Sequence, residues 1–217
     1  MTSVVDGAMP AEHPTAAVIA GVLGAAAVVG FVAGGVLGSL DYGAAASADQ
    51  VGATESAQTT QLDLTVAAAS CEREPAQDAA GNEVDYRPDY TVDGDDQTGW
   101  QCRGDGAGET LELDLGGTAT ITGVGLIPGY AKLDPHDDRE WYPLFRRLTE
   151  VRWHFDTGDP ITQELDPDPD RRDLQILELP EPRESSTLTL EIVSSTAGET
   201  ADRSVIAVSD IEVLAAQ

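Results

Sequence analysis

Leu111-Glu112-Leu113-Asp114-Leu115-Gly116 places a leucine at every second position with an acid between. Side chains of an extended strand point alternately to opposite faces, so this stretch reads as a strand that buries its leucines and wets its acids. The same two-residue period recurs outward from it. Val151, Trp153 and Phe155 alternate with Arg152 and His154, Leu188, Leu190 and Ile192 alternate with Thr189 and Glu191, and Ile211 and Val213 close the chain similarly. Further strand candidates are Leu62 to Ala69, Thr120 to Ile127, Ile161 to Leu165 and Leu174 to Leu179, each bounded by Gly, Pro or Asp clusters. No strong helical period follows residue 61. About eight short strands without helical crossovers predict an all-β, antiparallel jelly-roll sandwich over residues 62–217.

The amino-terminal part differs in kind. No Asp, Glu, Lys or Arg occurs between Glu12 and Asp41, and residues 16–40 are Ala, Val, Ile, Leu, Gly, Phe and one Ser. As a helix they would run roughly 37 Å, against about 30 Å of bilayer hydrocarbon. The run is longer than a signal-peptide core and lacks a basic start, which favours an uncleaved transmembrane helix behind a short cytoplasmic tail, residues 1–15. Ala46-Ser47-Ala48 offers the alternative, a small-x-small cleavage site. Ala26, Gly30, Gly34 and Gly38 recur every fourth residue and would let a second helix approach closely, although Gly and Ala abound there anyway. Residues 41–61 are rich in Ala, Ser, Gly, Thr and Gln and read as a flexible linker with a reach of roughly 25 Å.

Charge and cysteine narrow the function. The 39 acidic and 12 basic residues leave 27 net negative charges, so phosphate backbones are repelled and nucleic-acid binding is excluded as a main activity. Cys71 and Cys102 are the only cysteines. A lone pair without metal-ligand spacing reads as one disulfide in an oxidising compartment, which would place residues 62–217 outside a cell membrane crossed once.

Asp93-Gly94-Asp95-Asp96-Gln97-Thr98-Gly99-Trp100, the 111–116 strand, Val124-Gly125-Leu126-Ile127-Pro128-Gly129-Tyr130, Arg152-Trp153 and Ser209-Asp210-Ile211-Glu212-Val213 occur in that order. Together they resemble discoidin-like, galactose-binding-type domains, and Gly125 to Lys132 is most similar to bacterial NADase-type glycan-binding domains. The resemblance covers about residues 65 to 215. It implies a sandwich that binds ligands with loops at one end, and it does not imply catalysis. The charged, aromatic loop from Lys132 to Leu148 departs from the family pattern.

Asp93, Asp95 and Thr98 place oxygen ligands on a tight turn, which suits a structural calcium ion; the resemblance adds Asp210, entering the last strand, as a further ligand. The alternative is that Asp93 caps the turn and Thr98 and Trp100 lock it. Trp100, Tyr130, Trp141 and Tyr142 fall at loop or strand-end positions where a ring can stack on a sugar. Arg103, Lys132, Arg139 and Arg146 would add donors for hydroxyls or carboxylates. These eight form the expected ligand rim, for a glycan or for a protein partner; Trp100 as a core plug and arginines paired with nearby acids are the alternatives. No His-Glu-x-x-His, phosphate loop or Gly-x-Ser-x-Gly elbow occurs. The expected function is therefore a non-catalytic, membrane-anchored module recognising an envelope glycan or polymer without an obligatory cofactor. The alternative is an accessory or structural subunit of a membrane complex.

Overall fold

The computed structural model describes residues 59–78, 80–135, 137–200 and 203–217. The expected tail, the helix 16–40 with Gly30, Gly34 and Gly38, and all but the end of the linker lie outside them. Among the described residues no helix is long and apolar enough to cross a membrane. The described residues form eleven strands, in order: β1 Thr59–Gln61, β2 Thr65–Ala69, β3 Ala76–Gln77, β4 Glu83–Val84, β5 Trp100–Arg103, β6 Thr110–Leu126, β7 Arg147–Phe155, β8 Ile161–Glu164, β9 Gln175–Thr196, β10 Val205–Val208 and β11 Ile211–Ala216. Two short 3-10 turns, Pro88–Thr91 and Tyr142–Leu144, are the helical elements among these residues. The strands pair antiparallel throughout, as an all-β sandwich.

Two pairs of expected strands prove to be single bent ones. Residues 111–115 and 120–127 both belong to β6, whose register with β9 slips between Asp114 and Ala119. Gly116 and Gly117 make the corner, with φ of 72° and 149°, and the Asp114 carboxylate accepts the Gly116 N–H at 2.8 Å. On β9 a second irregularity, opposite Ile121 to Gly123, spans Glu178 to Arg183, where Pro180 and Pro182 have no N–H to give the ladder. Each strand thus leaves one sheet layer and enters the other. The first arm of β6 pairs β2 and the second arm of β9, while its second arm pairs β11 and the first arm of β9. Leu111, Leu113, Val124, Leu126, Trp153, Leu190 and Val213 meet between the layers in one buried cluster.

Three details depart from the sequence-based boundaries. Thr59–Gln61, assigned to the linker, forms β1 on the edge of β11, where backbone pairing requires no apolar side chain. β5 and β10 pair each other, as do β3 and β4, and none of these four was among the expected strands. All four residues of β10 are buried, so no polar position marks the period. Cys71 and Cys102 are joined, with Cα atoms 5.8 Å apart across a separation of 31 residues. The bond secures the segment after β2 to β5, beside the Arg73 N–H to Gln101 C=O bond of 2.7 Å.

Candidate functional site

Beyond the disulfide, the ends of several elements surround one cleft of about 910 Å³. Arg73 comes from the chain just after Cys71, Tyr86 from the stretch after β4, and Arg103 from the end of β5. The long loop after β6 supplies Tyr130, Lys132 and Trp141, and the approach to β10 supplies Arg203. The described residues of this loop are tied to one another. Leu133 and Glu140 form a β-bridge, the Asp134 N–H donates to the Arg139 carbonyl at 2.9 Å, and Asp138 turns the chain at φ 53°. Beside the cleft residue Phe145 the backbone approaches closely: a Cβ on Gly198 would lie 2.3 Å from the Phe145 carbonyl oxygen and 2.4 Å from that of Leu144.

Guanidinium groups lie over three of the rings that line the cleft, Tyr86, Trp141 and Phe145. Arg73 lies 4.4 Å over Tyr86, and Arg203 lies 4.9 Å from Trp141 and 5.0 Å from Phe145. Arg139 approaches Trp141 at 5.8 Å. Phe145 packs on Tyr130 at 5.1 Å and on Trp141 at 6.2 Å. Burial drives the Tyr130 phenol well above its ordinary range, with Tyr86 adding to the shift and Arg73 opposing it. Tyr130 therefore stays neutral at physiological pH. Arg73 also donates from Nη1 to Gln101 Oε1 at 2.6 Å, while Arg73 Nε and Gln101 Nε2 are buried without a partner.

Five of the eight expected rim residues meet here: Arg103, Tyr130, Lys132, Arg139 and Trp141. The other three do not. Trp100 is fully buried in the sandwich and donates Nε1 to the Cys71 carbonyl at 2.7 Å. Its position at a strand end resembled a rim site, but its side chain faces the interlayer. Tyr142 is 1 % exposed, turned inward against Gly129, where a Cβ would lie 2.4 Å from its ring. Arg146 is engaged with Ser195, through Nε to Oγ at 2.9 Å and Nη2 to the carbonyl at 3.1 Å, away from the cleft. Arg73, Tyr86, Phe145 and Arg203 were not anticipated. Proximity to Cys71 was a usable signal for Arg73; nothing local marks Arg203.

The Asp93 turn is closed by its own atoms. Asp93 Oδ1 accepts the Asp95 N–H at 2.9 Å, Thr98 donates its hydroxyl to Asp93 Oδ2 at 2.9 Å, and Asp95 Oδ1 accepts the Gln97 N–H. Asp93 and Asp210 share the wall of a second hollow of about 330 Å³. Among the described residues no three His, Cys, Asp or Glu side chains converge as a metal-holding group. Calcium takes six to eight oxygens, backbone carbonyls and waters among them, and in the turn the Asp93 carboxylate and the Thr98 hydroxyl are engaged with each other.

Burial pushes the Asp210 carboxyl up to about 6; the Ile211 N–H opposes the shift, and Glu212, Asp93 and Asp96 add repulsion. A raised folded-state value means the fold binds the proton more tightly than the unfolded chain. The contribution of Asp210 to stability is then fully present below about pH 4, declines as pH rises toward about 6, and is flat above. Asp210→Asn keeps the acceptor for the Ile211 N–H, at 3.0 Å, and removes the charge. With partial exposure discounted, the gain near pH 7.5 is on the order of 1 kcal/mol, or about 2–4 °C in Tm, vanishing by about pH 4. Thermal melts across that range check it; a variant less stable than wild type near pH 7.5 would show that the negative charge is needed.

Residues 64–214 match the family model described as the NAD glycohydrolase translocation F5/8 type C domain. The chain belongs to that family. The matched span of this F5/8 type C domain holds the disulfide, the Asp93 turn and every named cleft residue, and leaves β1 outside. Among solved structures, the domain is similar to the family 32 carbohydrate-binding module of Clostridium perfringens NanJ, solved in complex with galactose. The identity is 12 %, covering 72 % of this chain and 99 % of that one, with a TM-score of 0.51. It is also similar to the CBM32-3 module of a family 31 glycoside hydrolase from the same organism, at 15 % identity, 72 % and 95 % coverage and a TM-score of 0.50. At these identities the likeness is one of fold. No curated protein matches the chain.

Proposed function

We propose that this F5/8 type C domain is a non-catalytic glycan-binding module, displayed outside the cell membrane behind the apolar segment 16–40. The carrying observation is the cleft of about 910 Å³, built from loop and strand ends around Trp141, Tyr130 and their arginines. Its volume falls within the few hundred to about 1,000 Å³ usual for small-ligand sites. It mixes ring surface with donors, as binding of a hydroxylated ligand requires. The similar module from NanJ was solved with galactose, which supports the ligand class. The disulfide supports the outward placement, because such bonds persist in oxidising compartments.

Retention of the full chain, in detergent, on a glycan array and on isolated cell-wall material tests this reading. Trp141→Ala is expected to weaken retention about 10-fold, since truncating an aromatic anchor in a cleft typically costs more than 1 kcal/mol. Unchanged retention would move the site away from the cleft. Absence of binding to every glycan and wall preparation would favour an accessory subunit held in a membrane complex.

A further inference from the structure

The chain contains only 12 lysines and arginines against 39 acids. Five of those cations, Arg73, Arg103, Lys132, Arg139 and Arg203, line the one cleft. Pairing would be easy to find on so acidic a molecule, yet among the described residues only Arg139 of these five makes an ion pair, with Asp137 at 2.8 Å. Arg73 and Arg203 are instead held by ring faces, and Arg73 also by its bond from Nη1 to Gln101, arrangements that orient a guanidinium without neutralising it. The ring contacts take up part of the ring surface of Trp141 and Tyr86 that a neutral sugar would use. What the cleft offers an incoming molecule is thus five cations against three carboxylates, Asp78, Asp134 and Asp137, an excess of positive charge on an otherwise acidic chain, with Ser204 and Thr200 on its walls as partners for hydroxyls.

We infer that the cleft takes an acidic saccharide, a hydroxyl-bearing ring carrying a carboxylate, with Arg73 and Arg203 as its principal carboxylate donors. The inference rests on the glycan-binding reading and makes it specific. Planar guanidinium groups match a carboxylate with two parallel N–H donors, and such charge-assisted bonds are stronger than neutral ones. The surrounding negative field repels acidic ligands everywhere else, so a local reversal of sign confines them to this site. Selectivity would then come from charge, and hydroxyl contacts would choose among acidic rings.

Calorimetry on the full chain in detergent, with oligogalacturonate, the neutral oligogalactose of equal length, inorganic phosphate and polyglutamate as probes, tests the inference. Oligogalacturonate is expected to bind at least about 10-fold more tightly than the neutral oligomer, and to weaken about 10-fold between about 50 and about 500 mM salt. Arg73→Gln and Arg203→Gln should each lower its affinity by at least about 10-fold while changing the neutral oligomer by less than about twofold. Arg183→Gln removes the same charge away from the cleft and should alter neither. Equal or tighter binding of the neutral oligomer, or equal losses for both oligomers, would overturn the acidic class while leaving glycan binding standing. Phosphate or polyglutamate competing as well as the oligomer would assign the cleft to anions without a sugar. No binding by either oligomer would overturn the acidic class, and the glycan array and wall preparations would decide glycan binding separately.

Discussion

Trp100→Ala is expected to lower the stability of the folded domain by about 4 kcal/mol, within the range for truncating a large buried aromatic. The indole is completely enclosed among both sheet layers and holds the Cys71 carbonyl at 2.7 Å. Its removal leaves a cavity and a carbonyl without its donor. Trp100→Phe keeps most of the volume and loses the hydrogen bond, so it should cost less, on the order of 1–2 kcal/mol. Denaturant unfolding of both variants checks the order. An unchanged midpoint for Trp100→Ala together with loss of glycan retention would return this residue to the ligand rim.

Reduction of the Cys71–Cys102 bond should cost about 3–4 kcal/mol, because opening a loop of 31 residues restores conformational freedom to the unfolded chain. For a domain of this size that corresponds to a fall in Tm of roughly 6–15 °C. The loss should not be confined to stability. Arg73 lies two residues beyond Cys71 and reaches the cleft through its bond to Gln101 on β5, next to Cys102. Saccharide binding should therefore weaken on reduction at temperatures where the domain remains folded. Melting and binding measured with and without reductant on the same preparation separate the two effects; an unaltered Tm would show that the crosslink constrains little.

The strands of the sandwich were legible wherever one face is wet. Leu111, Leu113 and Leu115 on β6 and Leu188, Leu190 and Ile192 on β9 alternate with polar residues and are buried as the period requires. The period fails where both faces are covered, as in Val205–Val208, and where pairing is by backbone alone, as in Thr59–Gln61. It also cannot say whether two runs are one bent strand. The corner in β6 depends on Gly116 and Gly117, which equally suit a hairpin turn.

The candidate site was half legible for a related reason. Arg103, Lys132 and Arg139 were identifiable as rare cations in an acidic chain, and Tyr130 and Trp141 as aromatics in a loop. Residue type and loop position do not specify direction. Trp100 and Tyr142 share those attributes with Trp141, yet both point into packed interiors. Arg73 and Arg203 are 130 positions apart and converge only because β5 pairs β10 while the disulfide draws the Arg73 segment onto β5.

The chain alone determined an all-β domain behind an uncharged apolar segment, its single crosslink and its excess of acid, because side-chain period, cysteine count and charge are local or additive properties. Only the tertiary structure decided which aromatics are core and which line the cleft, and that scarce arginines from distant segments gather in one place over aromatic rings. Those are relations between strands paired across long loops, and strand pairing depends on how whole faces pack, which no single stretch of sequence carries.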